Sequence, residues 1–328
     1  MTNKGIEKVV IMYPSRTGGV AEVCLSLKAG FQKLGYEVLE INSFVTALKF
    51  SIKNIFTGNK HILISNLHFG IFGMFFKQSI FIIHGFPQRK YEKPGKYHYV
   101  VWGHKIFAFC NRKSVAVSYI TRFVSENFYN IKVHAVIHNI LPFDFFEAAL
   151  KHPPVKQPDT LTFVGRVIKE KGVDRILEAV NLIRQTGHKV IVNIVGSGTF
   201  IPELKEAYSH TDNIFHGYLS SEDKYKILAK STSFISLHPA EPFGITALEA
   251  SALGVHCCLS AVGGHTEFVP HEILFPINNV DDIRQISKAI TESLIPSSNS
   301  LISNTLLLNE EEYLKQYAQE FLNVFTAS

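Results

Sequence analysis

The sequence predicts an α/β protein built from two Rossmann-like parallel-sheet domains. Three observations carry that prediction. Short β-branched and aromatic runs alternate with stretches of helical periodicity, the rhythm of parallel α/β structure. The same rhythm restarts after a proline-bearing segment at residues 151–159. The 328 residues suffice for two ordinary domains, and a composition 46% hydrophobic and 19% charged excludes a disordered chain.

In chain order, Val9 to Tyr13 reads as a buried strand and Ser15 to Gly19 as a glycine-bearing turn. Val20, Val23, Cys24, Leu27, Phe31 and Leu34 then recur at helical spacing until Gly35 stops them. Further strands are expected at Val38 to Ile41, Ile62 to Ser65, Ser79 to Ile83, Ser114 to Val117 and Val133 to Ile137, with helices between most of them. Pro153, Pro154 and Pro158 among polar residues make 151–159 the best linker, which sets domain limits of 1–155 and 156–305. The second domain opens with strand Leu161 to Val164, turn Gly165 to Gly172 and a helix carrying Val173, Ile176, Leu177, Val180 and Ile183 on one face. Strand Val190 to Val195 follows. The serine-rich piece Ser293 to Ser303 reads as a connector, and Glu310 to Phe325, within a third segment 306–328, as an amphipathic helix.

Residues 1–150 carry 18 Lys/Arg against 8 Asp/Glu, a net +10, whereas 151–328 carry 15 against 20, a net −5. The modest total of +5 therefore hides a division by domain. The four cysteines, at 24, 110, 257 and 258, lack metal-type spacing and favour a reducing cytoplasm over a disulfide framework. The early apolar run stops at Pro14, so no export signal is expected. The uncharged stretch His61 to Phe76 falls short of the ~20 apolar residues of a membrane span.

Two constellations can carry chemistry. In His238-Pro-Ala-Glu241-Pro-Phe243-Gly244-Ile245-Thr246-Ala-Leu248-Glu249, two carboxylates flank a loop-to-helix junction. A helix starting near Gly244 presents free N–H groups and a positive dipole end to an anion beside Glu241. Glu249 lies five residues beyond Gly244, about 7.5 Å along the axis, the reach from a diphosphate to the ribose of a nucleotide. A solvated helix residue is the alternative for Glu249. In Phe163-Val-Gly165-Arg166-Val-Ile-Lys169-Glu170-Lys171-Gly172, cations follow a strand directly, where open α/β sheets bind ligands. Arg166 and Lys171 suit a departing diphosphate. A surface charge run is the alternative, preferred for Lys169.

No Asp-x-Asp occurs, so no metal site is expected and cations would substitute for the metal. Gly18-Gly19 allows close approach of a phosphate or makes a plain tight turn. Gly196-Ser-Gly198 is a truncated Gly-x-Gly-x-x-Gly with Ile201 in place of the third glycine, which disfavours a dinucleotide site. Of fifteen histidines, His84 alone is singled out, at a strand end before Gly85-Phe86-Pro87. A histidine satisfied within the strand end is its alternative.

With these residues in place, the chain resembles the retaining glycosyltransferases of family 4, whose GT-B fold is two Rossmann-like parallel-sheet domains facing a central cleft. The resemblance runs along nearly the whole chain. It is most specific in Glu241 to Glu249, which looks like the family's Glu-x7-Glu motif, and in Gly165-Arg166 through Lys171-Gly172. Gly18-Gly19, Val195-Gly196-Ser-Gly198, Gly263-Gly264 with Glu267, and Val136-Ile-His-Asn139 match weaker landmarks. Where the family often has Pro-Asn-Gly, this chain has His138-Asn139-Ile140.

The resemblance implies that 1–155 is the acceptor side and 156–305 the donor side, with helix 306–328 packing back on the first. Arg166 and Lys171 would hold the donor diphosphate, Glu249 the ribose, and Glu241 with the backbone of Phe243, Gly244, Ile245 and Thr246 the transferred sugar and phosphate. Gly19, Gly196 and Gly198 would approach the donor, and His84 would face the sugar. The implied reaction is front-face transfer with retention, from a nucleotide sugar, UDP favoured, without cofactor or metal, to a lipid-linked or saccharide acceptor in bacterial-type surface polysaccharide synthesis. A GDP-mannose-dependent mannosyltransferase is one alternative. A non-catalytic sugar-nucleotide-binding partner of an assembly complex and a sugar-nucleotide epimerase are others. The basic half interleaves Lys77, Arg89, Lys90, Lys93, Lys96, Lys105, Arg112 and Lys113 with Phe69, Phe72, Phe75, Phe76, Phe81, Tyr91, Tyr97 and Tyr99. That mixture suits an anionic cytoplasmic membrane surface; packing of Phe69 to Phe76 as an ordinary core helix is the alternative. Nucleic acid is not expected, because no binding module accompanies the charge.

Overall fold

The computed structural model describes residues 8–14, 18–58, 60–86, 94–152, 155–239, 241–295 and 310–326. The chain divides into two compact units, Met1–Phe143 with Asn309–Ser328, and Asp144–Leu308.

Unit 1 runs β1 (Lys8–Met12), α1 (Gly19–Lys33), β2 (Glu37–Ile41), α2 (Phe44–Phe56), β3 (His61–Asn66), a 3-10 helix over Leu67–Phe75, β4 (Gln78–Ile83), α3 (Pro94–Cys110), β5 (Lys113–Ala116), α4 (Tyr119–Tyr129) and β6 (Ala135–Val136). Its six strands lie in the order β2-β1-β3-β4-β5-β6, all parallel. Parallel strands are covered on both faces, so Val9, Val10, Ile11 and Met12 are all fully buried, and the sequence signal is a continuous apolar run.

Unit 2 runs α5 (Phe145–Lys151), β7 (Thr160–Val164), a 3-10 turn over Lys169–Lys171, α6 (Val173–Gln185), β8 (Ile191–Val195), α7 (Ile201–Ala207), β9 (Asn213–Gly217), α8 (Ser221–Lys230), β10 (Ser233–Ser236), α9 (Ile245–Ala252), β11 (His256–Ser260), β12 (Leu274–Ile277) and α10 (Ile283–Ser293). Its parallel sheet has the order β12-β11-β10-β7-β8-β9, the doubly wound arrangement whose order reverses between β7 and β10. The face of α6 read from periodicity is its buried face: Val173, Ile176, Leu177, Val180 and Ile183 all join the core.

Three sequence expectations are corrected here. The division falls at Phe143/Asp144 rather than at 155, because α5 packs on α8: Phe145 is fully buried and meets Tyr225 edge-on at 5.1 Å. Pro153 and Pro154, on which the linker was read, lie outside the described residues. Phe69, Phe72 and Phe76 of the Phe-rich run are core, but the run is a 3-10 helix over Leu67–Phe75, with Met74 exposed. Phe69, Phe72, Phe76 and Phe81 are each no more than 1% exposed, so they cannot share a surface with the lysines around them. Arg89, Lys90, Tyr91 and Lys93 lie outside the described residues.

Helix α11 (Glu310–Thr326) belongs to unit 1 and packs on α1 through Leu314, Tyr317, Ala318 and Phe321. Gly30 makes the approach close: a Cβ there would sit 2.2 Å from the Leu314 carbonyl oxygen.

Candidate active site

The reversal between β7 and β10 creates a crevice at the carboxyl ends of these strands, and the loops that follow them bring the charged residues together. After β7 comes the Gly165–Gly172 loop. Gly172, left-handed at φ 67°, turns the chain from the 3-10 segment Lys169–Lys171 into α6. After β10 come His238 and Glu241. Lys171 Nζ donates to Glu241 Oε2 at 3.1 Å, and His238 Nδ1 lies 3.3 Å from the same oxygen without hydrogen-bond alignment.

The backbone of Glu241 is pinned from the loop after β11, since Gly264 N–H donates to its carbonyl at 2.7 Å and Gly263 forms an isolated parallel bridge with it. His265, buried beneath, is anchored by Nε2 to the Ser260 carbonyl at 2.7 Å.

Electrostatics at this cluster are consistent. Burial opposes a charge on Glu241, but Lys171, His238 and His265 outweigh it and hold the carboxyl below the usual range. Burial, with Lys171 and Arg166 nearby, pushes His238 down to about 4, so its ring is neutral at pH 7. Arg166 itself is exposed immediately after β7. Just beyond Glu241, Gly244 is the left-handed N-cap of α9 and has no side chain to cap it. The first N–H groups, those of Ile245 and Thr246, are thus open to an outside acceptor at the positive end of the helix. Phe243 is buried against Phe268, leaving its backbone as the part that can face a ligand.

Glu249 is not on a solvated helix face. It is 0% exposed, with Oε1 taking Lys224 Nζ at 2.8 Å and Tyr225 OH at 2.9 Å, both from α8. Its Oε2 has no hydrogen-bond partner among the described residues.

Gly196 and Gly198 have a structural duty that spacing did not reveal. A Cβ on Gly196 would lie 1.9 Å from the Gly165 carbonyl oxygen, and one on Gly198 2.0 Å from that of Val167. The two loops interlock through Gly165 N–H to the Val195 carbonyl, 3.0 Å, and Val167 N–H to the Ser197 carbonyl, 2.9 Å. The glycines therefore seat the segment that carries Arg166. Gly198→Ala is expected to lower the melting temperature by the equivalent of about 3 kcal/mol, at the upper end of overpacking costs, because backbone rather than a flexible side chain must yield. A melting temperature equal to the parent's in a calorimetric scan refutes this account of the interlock.

In unit 1, His84 follows β4 and Asn66 ends β3. His84 Nε2 meets Asn66 Oδ1 at 2.6 Å, while Asn66 Nδ2 donates to Cys24 Sγ at 3.3 Å. The Asn66 oxygen is thus the acceptor, and the His84 proton sits on Nε2. Burial and His104 push His84 down to about 4, so the neutral ring keeps Nδ1 as an acceptor. Gly19 is the first residue of α1, after Gly18 at φ 90°.

A model of one protein family, glycosyl transferases group 1, matches residues 144–307, which is 164 of 328 residues. The chain belongs to the glycosyl transferases group 1. All the clustered residues of unit 2 fall inside the match, while Gly19 and His84 fall outside it. Among curated relatives of the chain, an uncharacterized glycosyltransferase (MJ1607) of Methanocaldococcus jannaschii is 33% identical over 118 residues, 34% of this chain and 30% of that protein. A glycogen synthase of Mycobacterium tuberculosis is 31% identical over 120 residues, 35% and 29% of the two chains. The matches thus span about a third of those relatives' length.

Solved structures share the fold along the chain. Sucrose-phosphate synthase of Thermosynechococcus elongatus superimposes with a TM-score of 0.71 at 16% identity, covering 98% of this chain and 100% of that one. Anabaena HepE, in complex with UDP and glucose, does so with 0.66 at 15% identity, covering 98% and 100%. The two six-stranded parallel sheets of this chain are those of the GT-B fold.

Of the residues singled out in the sequence, the structure joins Lys171 to Glu241 directly, places Arg166 and Gly244 to Thr246 around them, and sets Glu249 apart with partners of its own. Sequence reasoning missed His238, Lys224, Tyr225 and Asn66. His238 had a usable signal, a polar residue two positions past a strand at the switch point. The others meet their partners only through the tertiary fold.

Proposed function

We propose that this chain is a retaining, metal-independent glycosyltransferase that moves a hexose or N-acetylhexosamine from a UDP-sugar to a lipid-linked or saccharide acceptor in bacterial-type surface polysaccharide synthesis. The observation that carries the reading is the Lys171–Glu241 pair set beside an uncapped helix start at the switch point of unit 2. A cation and open N–H groups there suit a leaving diphosphate, and a carboxylate held ionised suits the hydroxyls of the transferred sugar. Arg166 adds a second, exposed cation. Glu249, whose buried Oε2 has no hydrogen-bond partner among the described residues, is the carboxylate assigned to the ribose. With two cations and a helix end available to the departing charge, a leaving phosphate oxygen can take the acceptor proton, and no separate protein base is required. Identity of the nucleotide is supported by HepE, whose structures hold UDP and glucose or UDP-glucose.

The test incubates purified protein with UDP- and GDP-sugars and a lipid-linked saccharide. The expected product carries a new glycosidic bond of retained configuration, formed from a UDP-sugar, and Glu241→Gln slows its formation by at least about 100-fold, the scale of losing one preorganised transition-state contact. Transfer by Glu241→Gln at the parent's rate, or a product without a new glycosidic bond, removes the proposal.

A further inference from the structure

We propose that the outward face of α2, extended by that of α3, is a docking surface for an anionic lipid membrane. Six apolar side chains of α2 are open to solvent, Phe44, Val45, Leu48, Ile52, Ile55 and Phe56, each between 41% and 83% exposed. At 3.6 residues per turn these six fall within an arc of about 120°. An adjoining side, Ala47, Ser51 and Asn54, is buried against unit 1. The helix therefore meets unit 1 through a small and polar side and turns its apolar stripe outward. Single exposed apolar residues are ordinary on a protein surface, but an unbroken stripe along a whole helix marks an interaction site.

The charges choose the occupant. Lys49 and Lys53 are exposed along the border of the stripe, and α2 carries no acidic residue. Helix α3 repeats the pattern with exposed Tyr99, Trp102 and Phe109, an exposed Lys105 between them, and again no acid. Both helices pack on the Leu67–Phe75 segment. Both connect parallel strands in the same direction across the sheet, so right-handed crossovers put them on the same side of it. Between Glu40 and Glu126 the sequence holds 12 Lys/Arg and a single acidic residue, Glu92. A second copy of this chain bound through the same face would set one basic, acid-free surface against another. Anionic phospholipid supplies both what the stripe needs, acyl chains for the aromatic and aliphatic side chains, and what the lysines need, a negative surface. No helix among the described residues is long and apolar enough to cross a membrane, so the contact lies in the plane of the interface.

This inference deepens the proposed function by bringing unit 1 to the surface where a lipid-linked acceptor resides, and it rests on that reading only for its purpose. Vesicle binding is measured without donor or transfer, so its failure is distinguishable from failure of the sugar-transfer assay. The full chain is sedimented with vesicles of phosphatidylglycerol mixed with phosphatidylcholine, and with phosphatidylcholine alone. The parent is expected to sediment with the mixed vesicles and to be released as salt rises from about 0.1 M to about 1 M, where the screening length falls from about 10 Å to about 3 Å. Lys49→Glu/Lys53→Glu, which alters only exposed groups, is expected to bind at least about 25-fold more weakly, at roughly fivefold for each lysine lost. Leu48→Glu/Ile52→Glu is expected to abolish binding, with both variants keeping the parent's circular dichroism and Tm. A parent that ignores mixed vesicles at low salt, or variants that bind like the parent, overturns the proposal. So does a parent dimer that Leu48→Glu/Ile52→Glu converts to monomer while vesicle binding persists, which assigns the face to a second copy.

Discussion

Lys171→Ala is expected to lower kcat/KM for sugar transfer by about 10²- to 10³-fold, the range seen when one preorganised group stabilising a developing charge is removed. The ammonium has two tasks. In the proposed reaction it faces the leaving diphosphate, and at 3.1 Å from Glu241 Oε2 it keeps that carboxylate ionised against the effect of burial. The second task gives the prediction a signature that simple damage would not produce. Without Lys171, burial, which favours the neutral acid, loses its largest opponent, and the Glu241 carboxyl moves up. The acid limb of the pH–rate profile, which lies below the usual carboxylate range in the parent, should shift to higher pH in the variant. Lys171→Arg restores charge and part of the rate. Stopped assays over a pH series with a saturating acceptor measure both quantities. An Ala variant within about threefold of the parent, far short of that range, ends the assignment of Lys171 to the transition state.

The second large effect is on stability. Lys224→Met is expected to destabilise unit 2 by about 3–5 kcal/mol, because it leaves the fully buried Glu249 without its ion-pair partner. Among the described residues Tyr225 OH then remains as the donor to Oε1, and Oε2 already has none. For a unit of 165 residues that loss corresponds to roughly 6–20 °C in melting temperature. Adding Glu249→Gln removes the stranded charge, so the double variant should recover most of the stability. It should not recover the rise in melting temperature that UDP gives the parent, since ligand binding to the folded state stabilises in proportion to affinity. Calorimetry of the four proteins with and without UDP separates the two roles. A Lys224→Met protein that melts with the parent refutes the buried pair as a stabilising element, and full recovery of UDP binding in the double variant refutes the ribose role of Glu249.

Legibility in the sequence followed how completely each strand is apolar. Val9 to Met12 and Leu161 to Val164 were readable because sheets covered on both faces select long apolar runs. The strands β10 and β11 were not, because they are buried with polar side chains in place. His256, 5% exposed, is satisfied by the Ser293 carbonyl at 2.6 Å, and Ser233 Oγ by Ser293 Oγ at 2.8 Å. Those partners come from α10, dozens of residues downstream, and leave no local trace. In β12, Pro276 disguises an edge strand. The domain limit was drawn at prolines when the decisive feature was Phe145 packing on Tyr225, a contact 80 residues long in sequence. At the candidate site, Arg166, Lys171 and Glu241 stood out because charge near glycine after a strand is a local pattern, and Glu249 by its spacing from Gly244 along α9. What holds Glu249, a lysine and a tyrosine from α8, is a tertiary fact.

The position of α11 bears on how the chain is made. The residues of unit 1 that precede Asp144 leave the ribosome first, and the helix that covers α1 follows only after the 165 residues of unit 2 have been added. At about 5–20 residues per second, that interval is roughly 8–33 s. Throughout it, the α1 surface at Gly30 that receives Leu314, with Phe31 buried beside it, has no helix to lie against. Unit 1 therefore stays unfinished until all of unit 2 has been added, and α11 can close over α1 only as the last packing step of the chain.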